Sequence, residues 1–182
     1  RLIEADVIFY SGLMLEGRMA DDFSKVGRKG KPVFAVTESI DKEYLREPPE
    51  FKGHWDPHVW MDVSAWSMCV GFVAESLAEF DKPNAEYYTK NASEYQATLK
   101  ELHAYAKKVV ATIPKEQRYL VTAHDAFGYF ARAYGIQVKA VQGISTTSEA
   151  AIADVNLLID FIVKQKVGAI FVESSVSQEN IK

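Results

Sequence analysis

The sequence predicts an α/β fold: two lobes with parallel sheets flanked by helices, joined by one long rigid helix, and incomplete at both ends. Three observations carry this expectation. Short apolar runs bounded by Gly, Pro or charged residues alternate with helix-length amphipathic segments, the signature of parallel sheets. One central segment breaks the alternation with an unbroken apolar seam much longer than its neighbours. The chain also opens on Arg1 rather than Met, runs almost at once into Val7-Ile8-Phe9-Tyr10, and stops at Ile181-Lys182 soon after another such run.

In chain order, the strand candidates are residues 7–10, 32–37, 119–123, 138–141 and 169–173. Residues 64–80 place Trp66, Val70, Val73, Leu77 and Phe80 at helical spacing, with Asp62 or Ser64 available as N-cap. Residues 125–134 read as a helix closed by Gly135, and residues 149–166 as a helix with a basic end followed by Gly168. The long segment, residues 84–113, puts Tyr88, Ala92, Tyr95, Leu99, Leu102, Ala106, Val109 and Ile113 in a 4-3-4-3-4-3-4 seam between Pro83 and Pro114. At about 1.5 Å per residue it makes a helix of roughly 45 Å. A seam with two Ala and two Tyr suits packing against its own chain better than a coiled-coil dimer. The resulting division is 1–81 for the N-terminal lobe, 82–114 for the spanning helix and 115–182 for the C-terminal lobe, both lobes partial.

Composition excludes several classes of function. With 182 residues, of which 48% are hydrophobic and 25% charged, the chain is neither disordered nor too small to bury a core. Lys+Arg 21 against Asp+Glu 25 gives a net charge of −4, which leaves no nucleic-acid footprint. Cys69 stands alone, so neither an internal disulfide nor a cysteine-based metal cluster is available. No apolar run approaches the roughly 20 residues that cross a bilayer. The charged, Pro-containing loop 38–56 is long enough to be functional or mobile.

Four histidines remain as chemistry-bearing groups: His54, His58, His103 and His124. His103 lies off the long helix's seam and reads as solvated. His54 and His58 are four apart, but Pro57 keeps Asp56 out of the α region, so they share no helix face and His54 is structural or exposed. His58 is left as a single loop histidine just ahead of the 62–80 helix. His124 directly follows Tyr119-Leu120-Val121-Thr122-Ala123, at the carboxyl end of a strand where ligands bind in open parallel sheets. Asp125 is placed either to cap the next helix or to hold that imidazole. Gln142-Gly143-Ile144-Ser145-Thr146-Thr147 and Glu173-Ser174-Ser175 follow two other strands as supporting polar groups or simple turn residues. A phosphate-binding glycine loop, a Gly-x-Ser-x-Gly elbow and a His-Glu-x-x-His helix are all missing. Two histidines, one from each lobe, fit a metal ion better than acid–base catalysis, and neutral imidazole suits zinc, or manganese when carboxylate joins it.

These residues also carry a resemblance. Asp56-Pro57-His58-Val59-Trp60, Thr122-Ala123-His124-Asp125-Ala126-Phe127-Gly128-Tyr129-Phe130, Gln142-Gly143-Ile144-Ser145 and Phe171-Val172-Glu173-Ser174-Ser175-Val176 resemble the metal-ion solute-binding proteins of bacterial ABC importers. The run Phe9-Tyr10-Ser11-Gly12-Leu13-Met14-Leu15-Glu16-Gly17-Arg18-Met19 is similar to that family's N-lobe, so the match spans nearly the whole chain in order. The resemblance implies a two-lobed receptor that binds its ion between the lobes, with His58 as the N-lobe ligand and His124 as the first C-lobe ligand. It further implies one more histidine from before residue 1 and a carboxylate from beyond residue 182. His124 stands where some manganese-binding relatives have Glu, and the 38–56 loop lacks the His-rich insertion of certain zinc receptors. Zn2+ or Mn2+ is therefore expected as transported ligand, with zinc slightly favoured and no organic cofactor. The implied protein is a monomer of the periplasm or extracellular cell surface, lipid-anchored or secreted, that docks on an ABC importer permease and catalyses no reaction. Two alternatives stand beside it: a metallohydrolase working through a histidine-bound metal, and a surface adhesin of the same fold.

Overall fold

The computed structural model describes residues 2–144 and 152–173. Ser145, Thr146 and Thr147, residues 149–151 at the head of the last expected helix, and Ser174, Ser175 and Val176 lie outside the described residues. Two small parallel sheets form. In the first, β1 (Ile8–Tyr10) pairs with β2 (Val33–Ala35) in the register Ile8 to Val33. In the second, β3 (Tyr119–His124) pairs with β4 (Gln137–Gln142) in the register Tyr119 to Gln137. Parallel pairing requires a crossover, and here α1 (Met19–Gly27) and α4 (Gly128–Tyr134) supply it. The helix over α1 was not expected from the sequence.

The expected strand at 169–173 is reduced to a single parallel bridge, Thr122 to Phe171, where the Phe171 N–H donates to the Val121 carbonyl at 2.8 Å. Ile170, Phe171 and Val172 are exposed among the described residues, where a parallel strand is normally buried on both faces. The fourth helix begins at Gly128 instead of residue 125, with Asp125, Ala126 and Phe127 used in the turn out of β3. It ends at Gly135, whose φ of 69° is the left-handed closing conformation that glycine adopts without a Cβ penalty.

α2 (Val63–Phe80) starts where Asp62 caps it: the carboxylate accepts from the Ser64 N–H at 2.9 Å and from the Ser64 hydroxyl at 2.6 Å. Its buried stripe consists of small residues, Ala65, Cys69 and Ser76, which lets other elements approach closely. The stripe expected from the sequence lies beside it: Trp66, Val70, Val73 and Leu77 are half-buried and Phe80 is exposed. α3 (Ala85–Ala111) is the long helix, 27 residues or about 40 Å. It packs along α2 and also touches α4, so it contacts elements from both halves of the chain. Its inward face departs from the expected seam. Tyr95, Leu102 and Val109 are exposed, and Gln96, His103 and Val110 take their places. Packing against α2 and α4, rather than the spacing of the apolar residues alone, sets which residues face inward.

Two apolar clusters result. Val36, Ile40, Val59, Ala65, Cys69 and Tyr129 form the larger one, and Val121, Val141 and Leu158 form the smaller with α5 (Ile152–Gln165) packed against β4. Tyr129 belongs to α4, yet it sits fully buried in the cluster built by the first half of the chain.

Candidate metal centre

His58 and His124 are brought together. Their ring centroids lie 5.4 Å apart with the planes at 63°, although 66 residues separate them in sequence (124 minus 58). Both are buried, at 6% and 9% exposure. His124 closes β3 beside Gln142 of β4, and the chain then turns so that the Asp125 N–H donates to the Gln142 carbonyl at 3.1 Å. His58 occupies the short connection between Pro57 and a 3-10 turn over Val59–Met61 that leads into the Asp62 cap. Proline, turn and cap together fix the backbone from which the imidazole projects, and the Trp60 ring packs against its edge at 5.3 Å.

Each imidazole is held by a carboxylate. Nδ1 of His58 lies 2.8 Å from Asp56 Oδ1, and the same oxygen accepts from the His58 backbone N–H at 3.0 Å. Nδ1 of His124 lies 2.7 Å from Glu173 Oε1. An ionised carboxylate only accepts, so in both rings Nδ1 carries the proton and Nε2 keeps its lone pair. This carboxylate–histidine arrangement is how metal-ligating imidazoles are oriented and made more basic. Among the described residues, no group of three or more His, Cys, Asp or Glu side chains gathers at metal-holding geometry.

The remaining expectations divide. Glu173, which the sequence left as support or turn residue, is the partner of His124. Asp125 neither caps α4, which has no side-chain cap, nor holds His124. It turns away into partly buried surroundings, where desolvation pushes its carboxyl pKa up; the negative charges of Asp56 and Glu50 add to this and Arg46 opposes it. His54 is exposed against Phe51, as expected. His103 is not a solvated helix residue: it is half-buried, with its Nδ1 3.3 Å from the Tyr134 hydroxyl and its ring against that phenol at 5.4 Å. It takes the inward place expected for Leu102.

Sequence reasoning missed Arg46, Tyr129 and Arg132. The Tyr129 hydroxyl donates to the Asp56 carbonyl at 3.0 Å and accepts from the Arg46 N–H at 3.1 Å. The Arg132 guanidinium lies over the Tyr44 ring at 4.2 Å and donates to the Tyr44 carbonyl at 2.7 Å. These bonds fasten the 41–56 loop to α4, and through it His58 to the element that follows His124.

Two small parallel sheets bound by one long helix form a fold that this chain shares with solved periplasmic metal-binding proteins. The chain belongs to the ZnuA family, described as zinc-uptake complex component A, periplasmic, whose model matches residues 1–182. It is 45% identical over 180 residues to the zinc-binding protein TroA of Treponema pallidum, covering 98% of this chain and 57% of that protein. It is 42% identical over 181 residues to the manganese-binding lipoprotein MntA of Bacillus subtilis, covering 100% of this chain and 58% of that one. Among solved structures, the periplasmic zinc-binding protein TroA from Treponema pallidum superposes with a TM-score of 0.93 at 44% identity, covering 99% of this chain and 64% of that one. The chain thus spans somewhat under two thirds of the length of these relatives.

Proposed function

We propose that this chain belongs to a receptor that binds zinc or manganese and delivers it to a membrane ABC importer, with His58 and His124 as two of the ion's ligands. One observation carries the reading: two buried imidazoles from distant parts of the chain lie side by side, each with Nδ1 engaged by its own carboxylate and Nε2 left to bind. The division into lobes at 1–81 and 115–182, joined through 82–114, follows from the same reading, since each lobe then contributes one ligand. Membership in a family that includes a zinc-binding and a manganese-binding protein supports both candidate ions. These relatives are binding proteins rather than enzymes, and the receptor breaks no bond. It operates as a monomer in the periplasm or at the cell surface, docking on its permease when loaded. Among the described residues, no helix is long and apolar enough to cross a membrane.

Titration of the full-length protein with Zn2+ and Mn2+ tests this. His58→Ala and His124→Ala are each expected to weaken binding of the cognate ion at least 100-fold. Unchanged affinity in both variants would remove the proposal.

A further inference from the structure

We infer that Arg46 is a positioning residue for the ion site, acting through Asp56 on the His58 ring, and that residue 128 is glycine to make room for it. The inference builds on His58 as an ion ligand, but its first readout does not require an ion. The Asp56 carboxylate is fully buried and its two oxygens do different work. Oδ1 serves the His58 backbone N–H and ring Nδ1, while Oδ2 receives Arg46 Nη1 at 2.6 Å. A guanidinium only donates and a carboxylate only accepts, so this pair fixes the rotation of the carboxylate and supplies the countercharge that burial demands. The two residues are also joined through the main chain, where the Asp56 N–H donates to the Arg46 carbonyl at 2.8 Å.

The guanidinium itself is seated from the other side of the junction. It lies over the Tyr129 ring at 5.7 Å, and it occupies the place where any side chain at position 128 would begin, because a Cβ on Gly128 would overlap Nη1 and Cζ of Arg46. Gly128 opens α4, and a side chain there would begin in the space that the guanidinium fills. One side chain from the 38–56 loop, resting on the element after His124, thus sets which nitrogen of His58 holds the proton. His124 is oriented by a different carboxylate, that of Glu173.

The test uses the full-length protein and the variants Arg46→Ala, Gly128→Ala and their combination, each checked for an intact fold by thermal melting. In ion-free protein, 15N spectra of the histidine rings are expected to show His58 as one Nδ1–H tautomer in the unchanged protein and as a tautomer mixture in both single variants, with His124 unmoved. Zn2+ and Mn2+ titration should show affinity falling about 10- to 100-fold in each, with the double variant no weaker than Arg46→Ala. His58 shifts that stay unchanged in both folded variants, equal disturbance of His124, or losses that multiply in the double variant would each overturn the assignment. If the unchanged protein bound neither ion, the proposed function would fail while the tautomer measurement would still decide the role of Arg46.

Discussion

Asp62 shows how much a single side chain contributes to the frame of the site. Burial alone would raise its carboxyl pKa, but hydrogen bonds from the Ser64 hydroxyl, from Tyr44 and from the Ser64 and Ala65 N–H groups outweigh that and hold it below the ordinary aspartate value. A lowered folded-state pKa contributes stability that is full above the unfolded value, near pH 4, and is lost as pH falls through the folded value. Asp62→Ala is expected to cost about 1–2 kcal/mol in urea unfolding at neutral pH, and the deficit relative to the unchanged protein should shrink in acid. Cys69 gives the opposite case: burial pushes its thiol up to about 11. Because the folded form then holds its proton more tightly than the unfolded chain, this contribution is present below the ordinary thiol range and falls away between roughly pH 9 and 11. A thiol reagent at pH 8 should label Cys69 only as fast as the protein unfolds, and rapid labelling of folded protein would contradict its burial.

At the scale of elements, the junction is held by α4 and the 41–56 loop more than by the long helix alone. The Tyr129 hydroxyl satisfies two backbone groups, the Asp56 carbonyl and the Arg46 N–H. Tyr129→Phe keeps the ring and removes those two bonds, so a loss of about 1–3 kcal/mol is expected, measured by denaturant unfolding. A loss under 0.5 kcal/mol would mean that the loop is fastened mainly by Arg132. These elements also mark what the sequence made legible. The four paired strands, the Asp62 cap and the extent of α3 could be read because propensity, proline and periodicity all point the same way there. The face of α3 could not, since packing against α2 and α4 turns Gln96, His103 and Val110 inward in place of the apolar residues just before them. α1 carries a single buried residue, Phe23, and has too little apolar patterning to announce itself. His58 and His124 were legible from Pro57 and from a strand end. Their carboxylate partners were visible only as neighbours, and Arg46, ten residues before Asp56, gave no local signal at all, because its role depends on Gly128 from the far side of the molecule.

Taken as a whole, the molecule brings a loop histidine ahead of α2, His58, and a strand-end histidine, His124, to one junction. The larger core reaches across it through Tyr129, and the Arg46–Asp56 pair completes the link to His58. On the function proposed above, an ion held between His58 and His124 would need little rearrangement of either ring, because each is already oriented by a carboxylate. The most direct test is an anomalous-scattering map of the full-length protein crystallised with its ion. A single peak about 2 Å from Nε2 of both His58 and His124 is the predicted result. An ion bound elsewhere, or one touching neither imidazole, would contradict it.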